Sequence, residues 1–253
     1  MRAKLLPMQQ AGSPVSTPLI ITLDGPAGTG KSTVARLLAK RLGVDFLDTG
    51  AMYRGLAAAC LDQNINPADQ ARVGDIAQSL QMQFDWSQDP PALIVNGKDV
   101  SRRIRDREVT AIVSEVAANP AVRKLMVRWQ REIGQAHPRL VTEGRDQGSV
   151  VFTDALVKFY LVASAKVRAE RRTRQLHEAG KPAIFEEILR DIEARDLADS
   201  TRAESPLVKP DDALLVDTSY MTLEEVVDHL HQQVIKAMSD KPAVNDKGTD
   251  SHV

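Results

Sequence analysis

Apolar and polar residues alternate along the chain in a way that predicts strands separated by helices. Residues 19–23 (LIITL) are apolar and β-branched, which is typical of a strand buried in a parallel sheet. Further along, Val34, Leu37, Leu38 and Leu42 recur at helical spacing. The same reasoning predicts strands at 44–47, 140–142, 157–162 and 214–216 and helices at 51–62, 69–80, 166–179, 183–200 and 222–237.

One segment breaks this pattern. Two short apolar runs, 82–86 and 92–95, follow each other closely, and Asn96-Gly97 comes directly after the second. Asn-Gly favours the type I′ turn of a β-hairpin, so a small antiparallel meander is predicted here. Such an element does not belong in a parallel sheet. Residues 67–106 are therefore interpreted as an inserted subdomain that projects from the core.

Helix boundaries can be read from capping residues. Val109, Ile112, Val113 and Val116 predict one amphipathic helix, and Asn119-Pro120 supplies an N-cap and first turn for the next helix. The inward face of that second helix is expected to comprise Val122, Leu125, Met126, Trp129 and Ile133. Near the carboxyl end, Thr222 and Glu225 have the spacing of a capping box.

Residues 25–32 (GPAGTGKS) stand between the first predicted strand and the first predicted helix. They fit G-x-x-x-x-G-K-[ST], a loop whose main-chain N–H groups surround the phosphates of a nucleotide. In such a loop Lys31 can reach the β- and γ-phosphates, and Ser32 can ligate Mg²⁺. The alternative is a glycine-rich turn without a ligand. Because the motif stands in its expected context, the sequence predicts binding of a nucleoside triphosphate.

Composition limits the other functions. The chain has 253 residues, 43% of them hydrophobic, and a net charge of −1. That charge argues against broad nucleic-acid binding, which needs a basic face. The single cysteine, Cys60, suits a reducing cytoplasm and is expected to be a buried apolar residue. No apolar run long enough for a membrane span or a secretory signal is present, and segments 1–17 and 239–253 are expected to be disordered.

Further chemistry is expected at the carboxyl ends of the predicted strands. Asp48 to Arg54 (DTGAMYR) follows the second strand, with Thr49 as the expected helix cap and Arg54 one turn later. An arginine there is either an exposed helix residue or a fork for a phosphate. Glu143 ends the third core strand, where an acid can hold Mg²⁺ through water. Residues 144–148 (GRDQG) follow, as a site loop or as a turn with a surface ion pair.

Charged residues also interrupt a predicted apolar face. Ile184, Ile188 and Ile192 define that face in helix 183–200, and the same spacing continues through Arg195, Asp199 and Arg202. Charges on an inward face are costly unless they are paired or liganded. An ion-pair ladder and a site for an anionic substrate both remain open. The cluster Arg168, Arg171, Arg172 and Arg174 is either a solvated surface or part of a mobile lid, at about 166–182.

The predicted fold is α/β, a parallel sheet of the P-loop NTPase type flanked by helices. It carries the inserted antiparallel subdomain and a short lid. One domain is expected at 18–238, with a core at 18–66 and 107–238. Ligands are expected beyond the carboxyl ends of the strands.

The chain resembles the bacterial cytidylate kinase family over about residues 18–237. The resemblance rests on GPAGTGKST, LDTGAMYR, EVTAIVSEVAANPAVR, TEGRDQGSVVF and ARDLADSTRAESPLVKPDDALLVDTS, and on the inserted meander. It implies that the inserted subdomain binds a nucleoside monophosphate. Two positions differ from the family pattern: Thr49 stands where serine is common, and Glu143 stands where aspartate is common.

The resemblance also implies residue roles. ATP would be held by the phosphate-binding loop, Gly25, Pro26, Ala27, Gly28, Thr29, Gly30, Lys31, Ser32 and Thr33, with Arg168 and Arg172 in the lid. The CMP site would comprise Thr49, Arg54, Ser114, Arg123, Arg145, Asp146, Arg195, Asp199 and Arg202. In that mapping Arg54, Arg145 and Arg202 grip the acceptor phosphate and act with Lys31 in catalysis. Ser114 and Arg123 would read cytosine, Asp199 would hold the ribose, and Mg²⁺ would lie near Ser32 and Glu143.

The implied activity is transfer of the γ-phosphoryl group of ATP to CMP or dCMP by a cytoplasmic monomer that binds neither nucleic acid nor membrane. The nearest alternative is a P-loop kinase with another acceptor: UMP, AMP or a small metabolite. A non-catalytic ATP-binding regulatory module would not need arginines for an acceptor. A nucleic-acid-binding ATPase is disfavoured by the neutral net charge.

Overall fold

The computed structural model describes residues 17–240. The predicted disordered extensions therefore lie almost wholly outside the described residues, although the last helix includes the first two residues of the expected tail. The strands are β1 (Leu19–Asp24), β2 (Asp45–Asp48), β3 (Met82–Asp85), β4 (Ala92–Val95), β5 (Lys98–Asp99), β6 (Arg139–Gly144), β7 (Val157–Val162) and β8 (Leu214–Asp217). The helices are α1 (Lys31–Leu42), α2 (Thr49–Asp62), α3 (Gln70–Ser79), α4 (Arg107–Ala118), α5 (Pro120–Ala136), α6 (Ala165–Glu178), α7 (Phe185–Thr201) and α8 (Leu223–Asp240).

Five strands form a parallel sheet in the order β2-β6-β1-β7-β8, as predicted. Alternate residues of β1 enter different apolar clusters: Ile21 and Leu23 pack with α1 and α8, whereas Ile20 packs against the cluster formed by α2, α4 and α5. Helices thus cover both faces of the sheet, and the strands are buried on both sides. The central position of β1 places the loop after it between the loops after β6 and β7.

The predicted meander is confirmed as a separate antiparallel sheet in the order β3-β4-β5. Asn96 and Gly97 both have positive φ angles, of 49° and 77°, as a type I′ turn requires. This sheet packs against α2, where Gly55 leaves room for Leu93. The division of the chain into a core, an inserted subdomain at 67–106 and a lid at 166–182 stays a prediction.

Three capping residues were predicted, and two predictions are confirmed. Asn119 accepts hydrogen bonds from the N–H groups of Ala121 and Val122, and Thr222 forms a reciprocal capping box with Glu225. The prediction for α2 was wrong: its N-cap is Asp48, whose carboxylate accepts the N–H of Ala51. Thr49 is instead the first helical residue.

The predicted apolar face of α7 was also wrong at its start. Ile184 lies before the helix and is 55% exposed, and Ile188 and Ile192 are only half-buried. Asp199 is the only fully buried residue of α7. The helix is therefore held by polar contacts near its end, because it has little apolar area to bury. Elsewhere the predicted inward face of α5 is buried throughout, and Cys60 is fully buried.

No helix within residues 17–240 combines the length and apolar character that a bilayer crossing requires.

Candidate active site

The phosphate-binding loop leaves β1 and enters α1 through three glycines with positive φ: Gly25, Gly28 and Gly30. A Cβ on Gly25 would lie 2.1 Å from the carbonyl oxygen of Leu161, so the loop packs directly against β7. Lys31 is 4% exposed, and its Nζ donates to the carbonyl oxygen of Pro26 at 2.7 Å. The loop therefore has the backbone curl and the buried cation that a phosphate chain needs.

Glu143 on β6 lies beside this loop. Ser32 Oγ donates to its Oε1 at 2.7 Å, and the Thr49 hydroxyl donates to its main-chain carbonyl oxygen at 2.7 Å. Burial and then the nearby carboxylate of Asp48 raise the pKa of Glu143. Burial and then the neighbouring guanidinium of Arg145 lower the pKa of Lys31. A buried acid and a buried base thus lie close together, one at the carboxyl end of β6 and the other after the loop that follows β1.

Arg54 points back to the strand end, as the spacing suggested. Its Nη2 bonds to the Asp48 carboxylate at 2.7 Å, and both side chains remain about one-quarter exposed. Asp48 therefore caps α2 and pairs with Arg54 at the same time. The guanidinium keeps further donors for a ligand.

A charged cluster joins the loop after β6 to the end of α7. Arg145 Nε donates to Asp199 Oδ2 at 2.9 Å, and Arg202 Nη1 approaches Asp199 Oδ1 at 3.4 Å. Burial opposes ionisation of Asp199, but Arg145, Arg195 and Arg202 together lower the pKa of the carboxyl. Arg195 lies in the same region, and within residues 17–240 its buried Nε has no hydrogen-bond partner. Burial and then Arg145 lower the pKa of Arg195.

A second buried ion pair lies between α5 and the loop after β6. Arg123 and Asp146 are 3% and 2% exposed, and Arg123 Nη2 donates to Asp146 Oδ2. The guanidinium also lies over the ring of Tyr53, 5.4 Å from its centroid. Ser114 is half-buried on α4, the neighbouring helix in the chain.

The two lid arginines lie in different surroundings. Arg168 is buried, and its guanidinium donates to the carbonyl oxygens of Ala163 and Ala27 and to the carboxylate of Asp196. It thereby connects α6, α7 and the phosphate-binding loop. Arg172 is exposed on α6. Because the Arg168 guanidinium is hydrogen-bonded to these protein groups, only some of its N–H donors are free for a phosphate.

Asp24 is a site residue that the sequence analysis missed. It ends β1 immediately before Gly25, is 2% exposed, and accepts the N–H groups of Gln147 and Gly148. Burial raises the pKa of Asp24 to about 6. The available signal was an acid at the carboxyl end of a buried strand, the same signal that singled out Glu143.

Together these residues bring two groups of possible anion-binding donors to the carboxyl ends of β1, β2 and β6. A glycine loop with a buried lysine can hold a triphosphate, and the arginines at 54, 145, 195 and 202 can hold a second anion. Ser32 and Glu143 offer a hydroxyl and a carboxylate oxygen, the hard ligands that Mg²⁺ prefers, so these residues fit the cation.

Comparisons with known proteins agree with this chemistry. The family model for cytidylate kinase matches residues 21–236. Cytidylate kinase of Mycolicibacterium paratuberculosis is 47% identical over 220 residues, which cover 87% of this chain and 96% of that protein. The enzyme of Corynebacterium glutamicum is 49% identical over 214 residues, 84% of this chain and 92% of that protein. That of Saccharophagus degradans is 44% identical over 209 residues, 82% and 93% of the respective chains.

The family match includes every residue named at this candidate site, from Asp24 to Arg202. The chain belongs to the cytidylate kinase family.

Proposed function

We propose that this protein transfers the γ-phosphoryl group of ATP to the 5′-phosphate of CMP or dCMP, giving ADP and CDP or dCDP. One observation supports this most directly. Glu143 is hydrogen-bonded to the phosphate-binding loop, and two residues later Arg145 belongs to the Asp199–Arg202 cluster. A single short segment therefore connects a site for a donor phosphate with a site for an acceptor phosphate.

On the donor side, main-chain N–H groups of 25–33 and the Lys31 ammonium would neutralise the triphosphate. The helix N-terminus at Lys31 adds a partial positive charge at the same place. Bound Mg²⁺ would supply further charge neutralisation at the β- and γ-oxygens, held by Ser32 and by Glu143, through water in the latter case.

On the acceptor side, Arg54, Arg145 and Arg202 would hold the monophosphate and offset its repulsion by ATP. Each of them is paired with an aspartate in this structure, so its guanidinium is already oriented before a ligand binds. Following the family resemblance, Ser114 and Arg123 would read cytosine, with Asp146 orienting Arg123 through their buried ion pair. Thr49 and Arg195 would complete the pocket, and Asp199 would hold the ribose.

The proposed reaction requires little of the protein beyond positioning the two substrates and neutralising the charge of their phosphates. An oxygen of the acceptor phosphate attacks the γ-phosphorus, and the bond to the bridging oxygen of ADP breaks, so no strong general base is needed. Reactants held at near-attack distance in a charge-compensated cleft account for most of the rate enhancement of such enzymes. That requirement agrees with a site built from arginines, a lysine and carboxylates.

The decisive experiment measures ADP release from Mg·ATP in a coupled assay, with CMP, dCMP, UMP and AMP supplied one at a time. Strong stimulation by CMP and dCMP alone is the expected result. Stimulation by another acceptor alone would redirect the assignment to a different nucleotide kinase. ATP turnover that ignores every acceptor would contradict the proposal and favour a regulatory ATP-binding role.

A further inference from the structure

Asp24 connects two parts of the candidate site that are far apart in sequence. It directly precedes the phosphate-binding loop, and both its carboxylate oxygens contact the loop after β6. Oδ1 accepts the N–H of Gln147 at 2.9 Å, and Oδ2 accepts the N–H of Gly148 at 2.7 Å. Each oxygen therefore holds one of two consecutive main-chain groups.

The segment held in this way, residues 144–148, carries Arg145 and Asp146 of the proposed acceptor site. Its far end packs tightly, since a Cβ on Gly148 would lie 2.9 Å from Thr22 Oγ1 on β1. The Gln147 side chain accepts from Thr142 Oγ1 at 2.9 Å and donates to Gln130 Oε1 at 3.1 Å. The main chain of this segment thus has one defined position relative to β1.

Holding a loop with this carboxylate is energetically expensive. Asp24 is buried, and its hydrogen-bond partners are neutral N–H groups rather than a cation. The nearest charges that act on it are Asp146, which opposes its ionisation, and Lys31, which favours it. Costly buried charges concentrate at functional sites, where they maintain a geometry that folding alone does not require.

We propose that Asp24 is a positioning residue for phosphoryl transfer, fixing the distance between the phosphate-binding loop and the loop that carries Arg145. This inference rests on the proposed function, because it concerns two phosphates that must meet. Transfer requires reacting atoms about 3–3.5 Å apart, and a misplacement of about 1 Å costs on the order of 100-fold in rate. Both carboxylate oxygens of Asp24 are engaged by main-chain N–H groups, so its replacement should change the distance between the two loops more than it changes substrate binding.

The test is Asp24→Asn, which keeps the size of the side chain. Its amide retains one acceptor oxygen but turns an NH₂ group towards the second main-chain N–H, so one hydrogen bond is lost and two donors oppose each other. We expect kcat for CMP to fall about 10- to 100-fold while KM for ATP and CMP each change less than about 3-fold. A role confined to stability would lower the melting temperature and leave kcat unchanged.

A matched control is Asp228→Asn on α8, which removes a carboxylate from the exposed ion pair with Arg41 of α1. It should leave kcat and both KM values at wild-type levels. A second variant, Gly148→Ala, displaces the same loop at one of the two residues that Asp24 holds, through the contact with Thr22, and leaves the Asp24 side chain unchanged. It should reproduce the fall in kcat, with KM values retained, if Asp24→Asn does not fold.

Wild-type kcat in a folded Asp24→Asn protein overturns the inference, and so does a large rise in KM with kcat unchanged. If Asp24→Asn does not fold, wild-type kcat in Gly148→Ala overturns it instead. These results differ from failure of the proposed function, in which the wild-type protein itself shows no CMP-dependent release of ADP.

Discussion

Individual arginines of the site are held in place by aspartates before substrate binds. Arg145 is the most constrained of them, with Nε on Asp199 and Nη1 on the carbonyl oxygen of Gly144 at 3.1 Å. A guanidinium fixed at two points presents its remaining donors in one direction. Such pre-orientation reduces the entropy lost when an anionic ligand is bound.

Replacing Arg145 with alanine should therefore lower kcat/KM for CMP by about 100- to 1,000-fold, because the proposed contact with the acceptor phosphate would be lost. Steady-state kinetics with varied CMP measures this directly. The control is Arg128→Ala, which removes an exposed arginine of α5 whose ion pair with Glu132 is within one helix. A folded Arg145→Ala protein with near-wild-type turnover of CMP would exclude Arg145 from the mechanism.

The raised pKa of Asp24 also predicts how the free energy of unfolding depends on pH. Its folded-state pKa of about 6 lies above the ordinary value of 3.8. Between these values the native state holds a proton that the unfolded chain has lost, so this group's contribution to stability decreases as the pH rises. The loss should total about 3 kcal/mol between about pH 4 and about pH 6, and none should follow above that range.

Urea unfolding of the wild-type protein and Asp24→Asn across that range isolates the contribution. The wild-type free energy of unfolding minus that of the variant should decrease with rising pH. A difference that stays constant, or one that increases, would show that the Asp24 carboxyl is not held at a raised pKa.

At the scale of elements, the helix-capping residues differ in how many helices they stabilise. Asn119 caps α5, and its Nδ2 also donates to the carbonyl oxygen of Gln70 at 2.8 Å, which joins α3 to α5. It is 3% exposed. Thr222, in contrast, caps α8 at the surface, and within residues 17–240 its side chain hydrogen-bonds only to its capping-box partner Glu225.

Asn119→Ala should therefore cost about 2–3 kcal/mol of unfolding free energy, since it removes both the cap of α5 and the side-chain hydrogen bond to α3. Thr222→Ala should cost about 1 kcal/mol. Chemical denaturation of the two variants provides the comparison. Equal losses would mean that the connection to Gln70 contributes nothing.

Sequence patterns predicted the elements well and their contacts less well. The glycine loop and the Asn-Gly turn are local signals, because a few adjacent residues impose their backbone geometry. The cap of α2 was misassigned because Asp48 and Thr49 are both competent cap residues. Asp24 was missed because its partner Gln147 lies 123 positions away. Contacts of that kind depend on strand order, which periodicity does not encode.

For the molecule as a whole, burial is distributed unevenly. The strands and α1, α2, α5 and α8 contribute most of the apolar clusters, whereas α7 buries only Asp199 completely and packs mainly on α6. Segments with few buried apolar contacts open at low free-energy cost. The pair α6–α7 is therefore the part of the described chain with the weakest attachment.

Hydrogen exchange followed by mass spectrometry should show faster exchange in residues 165–201 than in β1 and β6. Addition of ATP and CMP together should slow exchange in this segment more than either nucleotide alone, because Asp199 and Arg202 would then be held by ligand and by Arg145. Uniform protection across the molecule, or no response to the nucleotides, would contradict the proposed attachment of α7 through its charged end.

The pairing of the site arginines with aspartates also affects which anions can bind to them. Asp48 and Asp199 partly neutralise the positive charge of Arg54, Arg145 and Arg202. A small free anion such as inorganic phosphate must therefore compete with carboxylates that are already paired with these arginines. A nucleotide makes additional contacts through its base and sugar, and these can offset the free-energy cost of displacing the carboxylates. The internal ion pairs should therefore weaken the binding of abundant simple anions relative to that of molecules that carry more than a phosphate.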